Sequence, residues 1–120
     1  MKAIIWTKYG SPDVLQLKEV EKPVPEDHEV LVKIYATTVT AGDCEQRRLK
    51  LPIWHALPVR VYVGLKKPKR IIILGMDLVG EIESVGKDVK RFRKGDQIFA
   101  STGFVRMGTY AEYICLPEDP

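Results

Sequence analysis

The sequence predicts a mainly β fold, a small barrel or sandwich carrying one or two short helices. Three observations predict it. Short apolar runs recur along the chain, at residues 2–7, 15–20, 29–37, 71–74, 77–85, 97–100 and 110–116, with turn-forming residues between them. Glycines punctuate the second half at Gly75, Gly80, Gly86, Gly95, Gly103 and Gly108, and Gly80 falls inside a strand, where it marks sharp coiling or a close approach of two backbones. No strand followed by G-x-G-x-x-G opening a helix occurs, so neither a dinucleotide fingerprint nor a doubly wound parallel sheet is expected.

Residues 2–7 (KAIIWT) and 15–20 (LQLKEV) flank Gly10, Ser11, Pro12 and Asp13, a turn-favouring cluster, and read as a hairpin. After Pro23 and Pro25, residues 29–37 set Val30, Val32 and Ile34 on one face and Leu31, Lys33 and Tyr35 on the other, which is the period of a strand. The period then changes. Asp43, with Gln46 three residues on, reads as the N-cap of a helix of about two turns that Pro52 ends. Pro52, Pro58 and Pro68 cut residues 51–70 into apolar pieces too short for a long helix, so a loop with a helical or extended turn is expected there. The basic stretch 66–70 and the stretch 87–94, where five positive residues meet one Asp, read as solvated turns in preference to phosphate-binding patches. From Ile71 the chain returns to strands.

With 120 residues, 45% of them hydrophobic and 29% charged, the chain is read as one globular domain spanning 1–120. A domain of this size buries somewhat more than ~60% of its unfolded surface, enough for a core. No apolar run approaches the roughly 18 residues of a membrane span. A net charge of +3 is too small to argue for nucleic acid. Cys44 and Cys115 cannot build a disulfide framework, and no secretory segment is read at residues 1–6, so a reducing cytoplasm is the expected compartment. Both cysteines read as small hydrophobes. No internal repeat is present.

Residues 75–89 read GMDLVGEIESVGKDV and 92–98 read FRKGDQI, in the order G-x-E/D-x-x-G-x-[IV]-x-x-V-G, then G-D-[QRK]-V. With Lys2-Ala3-Ile4 at the start, the strand between Pro25 and Val39, and Gly108-Thr109-Tyr110-Ala111-Glu112-Tyr113 near the end, the chain resembles the medium-chain dehydrogenase/reductase superfamily over nearly its whole length. The resemblance implies a GroES-like, strongly coiled β-barrel, the catalytic part of such enzymes. It also implies that residues 1–120 are a catalytic-domain fragment. A Rossmann domain and a C-terminal completion would then lie outside it, NADPH would be bound mainly by the absent domain, and the full-length enzyme would be a homodimer.

Zinc-dependent members place a Cys in the loop after the long strand and a His in the glycine motif; in this register those positions hold Thr40 and Met76. Neither a hydroxyl nor a thioether is a usual zinc ligand, and the four-cysteine structural lobe is absent, so no metal is expected. Cys44 and His55, eleven residues apart with a proline between, do not amount to a site. The chain is therefore similar to the zinc-independent, quinone oxidoreductase-like branch, in which Thr40 replaces an Asn that faces the nicotinamide. The implied activity is that of a NAD(P)H-dependent oxidoreductase passing hydride to a quinone, enone or similar carbonyl acceptor. Thr40 and Tyr110 are the candidate catalytic residues, orienting nicotinamide and substrate, with Ser101 and Thr102 as further hydrogen-bond donors. Asp43, Trp54 and Phe104, with Leu57, are assigned to the substrate cleft, since flat acceptors need apolar and aromatic walls. Each has a structural alternative: Tyr110 as a half-buried barrel residue whose hydroxyl reaches water, Asp43 as the helix cap, Trp54 as a packing residue. His55 reads as a surface residue. A different class of function, a stand-alone GroES-like barrel acting as a protein-binding or structural module, is the alternative.

Overall fold

The computed structural model describes residues 1–49, 53–64, 72–103 and 106–119. Strand β3 (Glu29–Thr37) is the member on which the main sheet is built, because it has partners along both edges. On one side it pairs antiparallel with β4 (Asp77–Val85), and on the other with β6 (Tyr113–Pro117); β5 (Gln97–Ser101) adds to the far edge of β4. The order is β5-β4-β3-β6. A second sheet is the hairpin of β1 (Lys2–Trp6) and β2 (Leu15–Glu19), closed through a 3₁₀ turn at Pro12–Val14. The segment ahead of β6 joins the two sheets: Ala3 bridges to Ala111, Ile4 N–H donates to the Tyr110 carbonyl at 2.8 Å, and Ile34 N–H donates to the Glu112 carbonyl at 2.8 Å. Mainly β architecture with two helices agrees with the sequence reading.

Alternation along β3 sends Val30 and Val32 inward, where Leu78, Ile82 and Leu116 complete one core cluster. Leu31 is buried as well, at 4% exposure, and the register with β4 shifts between Leu31 and Val32 and again between Ile34 and Ala36. Such bulges increase strand twist and bend the sheet. A second cluster, Trp6, Val14 and Leu74, lies under the hairpin with Tyr9, Val59, Met107 and Tyr110 packed on it.

The glycines inside this architecture are close-approach residues. A Cβ on Gly80 would meet the Lys33 carbonyl oxygen and Val32, and one on Gly86 would fall on the carbonyl oxygens of Glu26 and Asp27, in both cases well inside van der Waals contact. Neither residue has positive φ, so missing bulk, not backbone freedom, is what these positions require.

The structure departs from the sequence expectation in three places. Helix α1 (Ala41–Arg48) has the expected two turns, but its N-cap is Thr40 and Asp43 occupies the third helical position. Helix α2 (Ile53–Val63) runs eleven residues through Pro58, where a loop was expected. One missing N–H removes only the bond to the Trp54 carbonyl, on an exposed face where water can replace it. What holds α2 is its other side: Val59 packs on the second core cluster, Arg60 stacks 4.5 Å over the Tyr9 ring, and the Tyr9 hydroxyl donates to the Gly64 carbonyl at 2.7 Å. The strand expected at 71–74 forms no ladder over residues 72–74, which bend at Ile73 and make single bonds to Trp6 and Tyr110; Ile71 lies outside the described residues. Gly75, at φ +104, then turns the chain into β4.

Two measurements check this packing. Gly86→Ala should lower unfolding stability by at least ~2 kcal/mol in urea titration, since backbone oxygens cannot yield as a flexible side chain would; an unchanged midpoint contradicts the packing described. Burial pushes the Cys115 thiol up to about 11, with Glu29 and Glu26 adding like charge. Its thiolate fraction near neutral pH should therefore fall about a hundredfold, and its alkylation rate should lag that of a cysteine in a short unstructured peptide correspondingly.

Candidate active site

The loop that leaves β3 turns into α1 at Thr40, which sits in extended conformation at φ −100, ψ 164. That geometry leaves the first helical N–H groups without carbonyl partners, and a hydroxyl three residues upstream can reach one of them. Asp43 N–H donates to Thr40 Oγ1 at 3.1 Å, and Thr40 N–H donates back to Asp43 Oδ2 at 3.0 Å. The exchange is a capping box in which Asp43 is the reciprocal member, which is why the cap lies three residues earlier than the sequence reading placed it. Thr40 Oγ1, one of its lone pairs occupied by Asp43 N–H, also donates to Asp43 Oδ2 at 3.0 Å.

A third donor reaches the same oxygen from far along the chain. Tyr110 Oη donates to Asp43 Oδ2 at 2.9 Å and lies 3.2 Å from the Thr38 carbonyl oxygen. Burial, then the bond to Asp43 and its negative charge, with Cys44 adding to them, raises the Tyr110 phenol well above the usual tyrosine range; Arg47 opposes them. Asp43 is 2% exposed, and its Oδ1 is buried without a hydrogen bond, as is Gln46 Nε2 one helical turn on.

Gly75 makes the approach of Tyr110 possible. A Cβ there would overlap Thr109 Oγ1 and the Tyr110 ring, while its carbonyl accepts the Gly108 N–H at 3.0 Å and the Leu74 carbonyl accepts the Tyr110 N–H at 3.1 Å. Next to it, the fully buried Thr109 hydroxyl meets Thr37 Oγ1 at 2.7 Å, Thr37 donates to the Asp77 carbonyl at 2.6 Å, and Thr38 donates to Asp77 Oδ2 at 3.2 Å. Met76 turns its methyl toward Gly42 at the start of α1, and its carbonyl accepts from both the N–H and the hydroxyl of Thr102.

Of the residues singled out from sequence, Thr40, Asp43 and Tyr110 come together in one hydrogen-bonded cluster. Ser101 and Thr102 sit at the end of β5 beside the start of β4 and together line a cleft of about 510 Å³. Ser101 also joins Thr37, Thr38, Asp77, Val79 and Phe99 around a cleft of about 420 Å³. Tyr110 lines a third, shallow cleft of about 670 Å³ with Ile4, Leu15, Ile34 and Val39. Trp54 and Leu57 stand on the exposed face of α2, 73% and 51% accessible, outside these three clefts. Phe104 lies outside the described residues. Sequence reading missed Phe99, 87% exposed on a cleft rim; the signal was its place between Ile98 and Ala100, which alternation directs to the opposite face. It also missed Thr38 and Thr109, whose partners are 39 or more residues away and leave no local trace.

Comparison with known proteins agrees with this picture. Residues 26–120 match the alcohol dehydrogenase GroES-like domain. A quinone oxidoreductase of Lama guanicoe is 35% identical over 114 residues, an alignment that takes in 94% of this chain and 30% of that protein. The structure of the quinone oxidoreductase from Coxiella burnetii superposes with a TM-score of 0.77 at 29% identity, covering 98% of this chain and 34% of that one. The Escherichia coli quinone oxidoreductase solved in complex with NADPH shares the fold, with a TM-score of 0.75 at 24% identity over 98% of this chain and 31% of that one. The chain thus spans about a third of the length of the proteins it matches. It belongs to the alcohol dehydrogenase GroES-like domain family of the medium-chain dehydrogenase/reductase superfamily.

Proposed function

We propose that this domain is the catalytic part of a zinc-independent, NADPH-dependent oxidoreductase that passes hydride to a quinone, enone or similar conjugated carbonyl. The observation that carries the reading is the Thr40–Asp43–Tyr110 cluster. It puts a hydrogen-bonded carboxylate at the loop where zinc-dependent members of the superfamily place a ligand. The donor set suits no zinc ion: Thr40 is spent on Asp43, Met76 offers a thioether, and among the described residues no three His, Cys, Asp or Glu side chains lie together.

NADPH, held mainly by a cofactor domain beyond these residues in a homodimeric full-length enzyme, supplies the hydride when bound. The roles of this chain are to hold and to orient. Tyr110 lines the largest of the three clefts, and Asp43 accepts the hydrogen bond of its phenol. Thr40 acts on Asp43 and, through it, on the start of α1. Ser101, whose hydroxyl holds no hydrogen bond among the described residues, is the free donor for an acceptor carbonyl, with Phe99 and Val79 as the apolar wall beside it.

A full-length enzyme carrying this domain should oxidise NADPH with 1,4-benzoquinone and keep its rate after chelation, with zinc well below one ion per chain by elemental analysis. Stoichiometric zinc, or activity lost on chelation and restored by zinc, overturns the assignment. Tyr110→Phe in that enzyme should lower kcat/KM about tenfold, the size of one hydrogen bond made in the transition state. Thr40→Ala should cost about 1 kcal/mol of stability through the lost cap, read in urea titration.

A further inference from the structure

Helix α2 is apolar on the side that faces solvent. At about 100° per residue its exposed positions follow one another around the axis as Leu57, Val61, Trp54, Pro58 and Tyr62, a continuous arc of about 140° without a charged side chain. A surface helix of a globular domain ordinarily keeps polar residues on that side. Here Val59 and Arg60, on the other side, are the residues that pack on the hairpin cluster and on the Tyr9 ring. Trp54, Leu57 and Val61 stay 73%, 51% and 66% accessible, and none of them lines a cleft described above.

The net charge of +3 conceals a division along the chain. Residues 46–76, α2 with its flanks, carry eight Lys and Arg and no Asp or Glu, whereas the remainder carries eleven against sixteen. Arg47, Arg48 and Arg60 are engaged within the domain, on the Gly10 carbonyl, Glu45 and the Tyr9 ring. The other five, Lys50, Lys66, Lys67, Lys69 and Arg70, lie outside the described residues but stand three to seven positions from the ends of α2 in the chain. An anionic partner suits such a stretch, and the apolar arc decides which. Nucleic acid offers nothing to leucine and valine, and a second copy of this chain would set like charge against like. An anionic bilayer satisfies both features, with negative headgroups at its surface and acyl chains a few Å below, at the depth where Trp and Tyr are favoured.

We propose that α2 is an in-plane anchor that docks the enzyme on an anionic lipid bilayer, the Trp54–Leu57–Val61 arc entering the headgroup layer and the flanking basic residues meeting the headgroups. The proposal stands apart from the hydride-transfer reading. With eleven residues, about 16 Å of helix, α2 lies on a bilayer and does not cross it. The headgroup layer is wet, so the Trp54 carbonyl that Pro58 leaves without a helical donor stays solvated there.

The test is co-sedimentation of the full-length enzyme carrying this domain with vesicles of phosphatidylcholine alone and with vesicles containing about 30% phosphatidylserine. The enzyme should bind the anionic vesicles at least about thirtyfold more tightly, and lose about tenfold of that affinity between about 0.05 and 0.3 M salt. Leu57→Ser combined with Val61→Ser should weaken binding at least about tenfold. Lys66→Gln, Lys67→Gln, Lys69→Gln and Arg70→Gln combined should weaken it at least about thirtyfold. Should a variant fail to fold, the native enzyme decides alone: lipid brominated on its upper acyl carbons should quench the Trp54 emission, identified as the part lost in Trp54→Phe. Equal binding to both vesicles overturns the proposal, as does binding that the Leu57/Val61 variant keeps in full or an unquenched Trp54. Binding to neither vesicle, the result expected if another domain of the enzyme or a second copy covers α2, overturns it too. A DNA duplex that competes the enzyme off anionic vesicles, with an affinity indifferent to Leu57 and Val61, assigns the basic stretch to nucleic acid and overturns it as well.

Discussion

One buried oxygen, Asp43 Oδ2, holds together parts of the chain that would otherwise have little reason to meet. It receives the Thr40 backbone N–H and hydroxyl from the end of the β3 loop, and the Tyr110 hydroxyl from the segment that leads into β6, 67 residues away. A carboxylate taken out of water is costly unless such donors surround it. With three donors on one oxygen, the cost is offset only while all three segments stay in place. The same constraint runs through Gly75, whose missing side chain is the space that Thr109 and the Tyr110 ring occupy. The site is thus assembled by the fold's own joints: segment 110–112 ties β1 to β3 by its backbone while the Tyr110 side chain ties β6's approach to α1.

How much of this was readable beforehand depended on the range of the interaction. The bounds of strand β3 were legible, because period-two alternation is local, but the burial of Leu31 on the opposite face and the two register shifts with β4 were not. Gly80 and Gly86 were legible as fold residues, although sequence alone could not tell backbone freedom from close approach; the absence of positive φ and the carbonyls of Lys33, Glu26 and Asp27 decide for the latter. Helix α2 was not legible, because Pro58 is a strong local breaker, and what outweighs it is the packing of Val59 and Arg60 on Tyr9 and the Trp6 cluster, far back along the chain. The run ending at Leu74 has strand composition, yet no neighbouring strand runs alongside its described residues, and β propensity without a partner does not make a strand. Within the site, Thr40 and Asp43 were visible as a short-range pair with the roles of cap and partner reversed. Tyr110 was visible as a candidate, but not its bond to Asp43, which nothing short of the tertiary fold specifies.

The two polar contacts of Asp43 differ in kind, and the difference assigns work to each residue. Thr40 is three positions away, so its bonds set the start of one helix and would form in any context that kept the loop extended. Tyr110 is bound across the fold, and its bond exists only when the β6 approach, Gly75 and α1 are all in register. Thr40 uses its hydroxyl proton and one of its two lone pairs on Asp43. The Tyr110 hydroxyl faces two acceptors, the Asp43 carboxylate and the Thr38 carbonyl. Thr40 thus sets the helix start by local bonds, whereas the Tyr110 bond forms only when the whole fold around Asp43 is assembled.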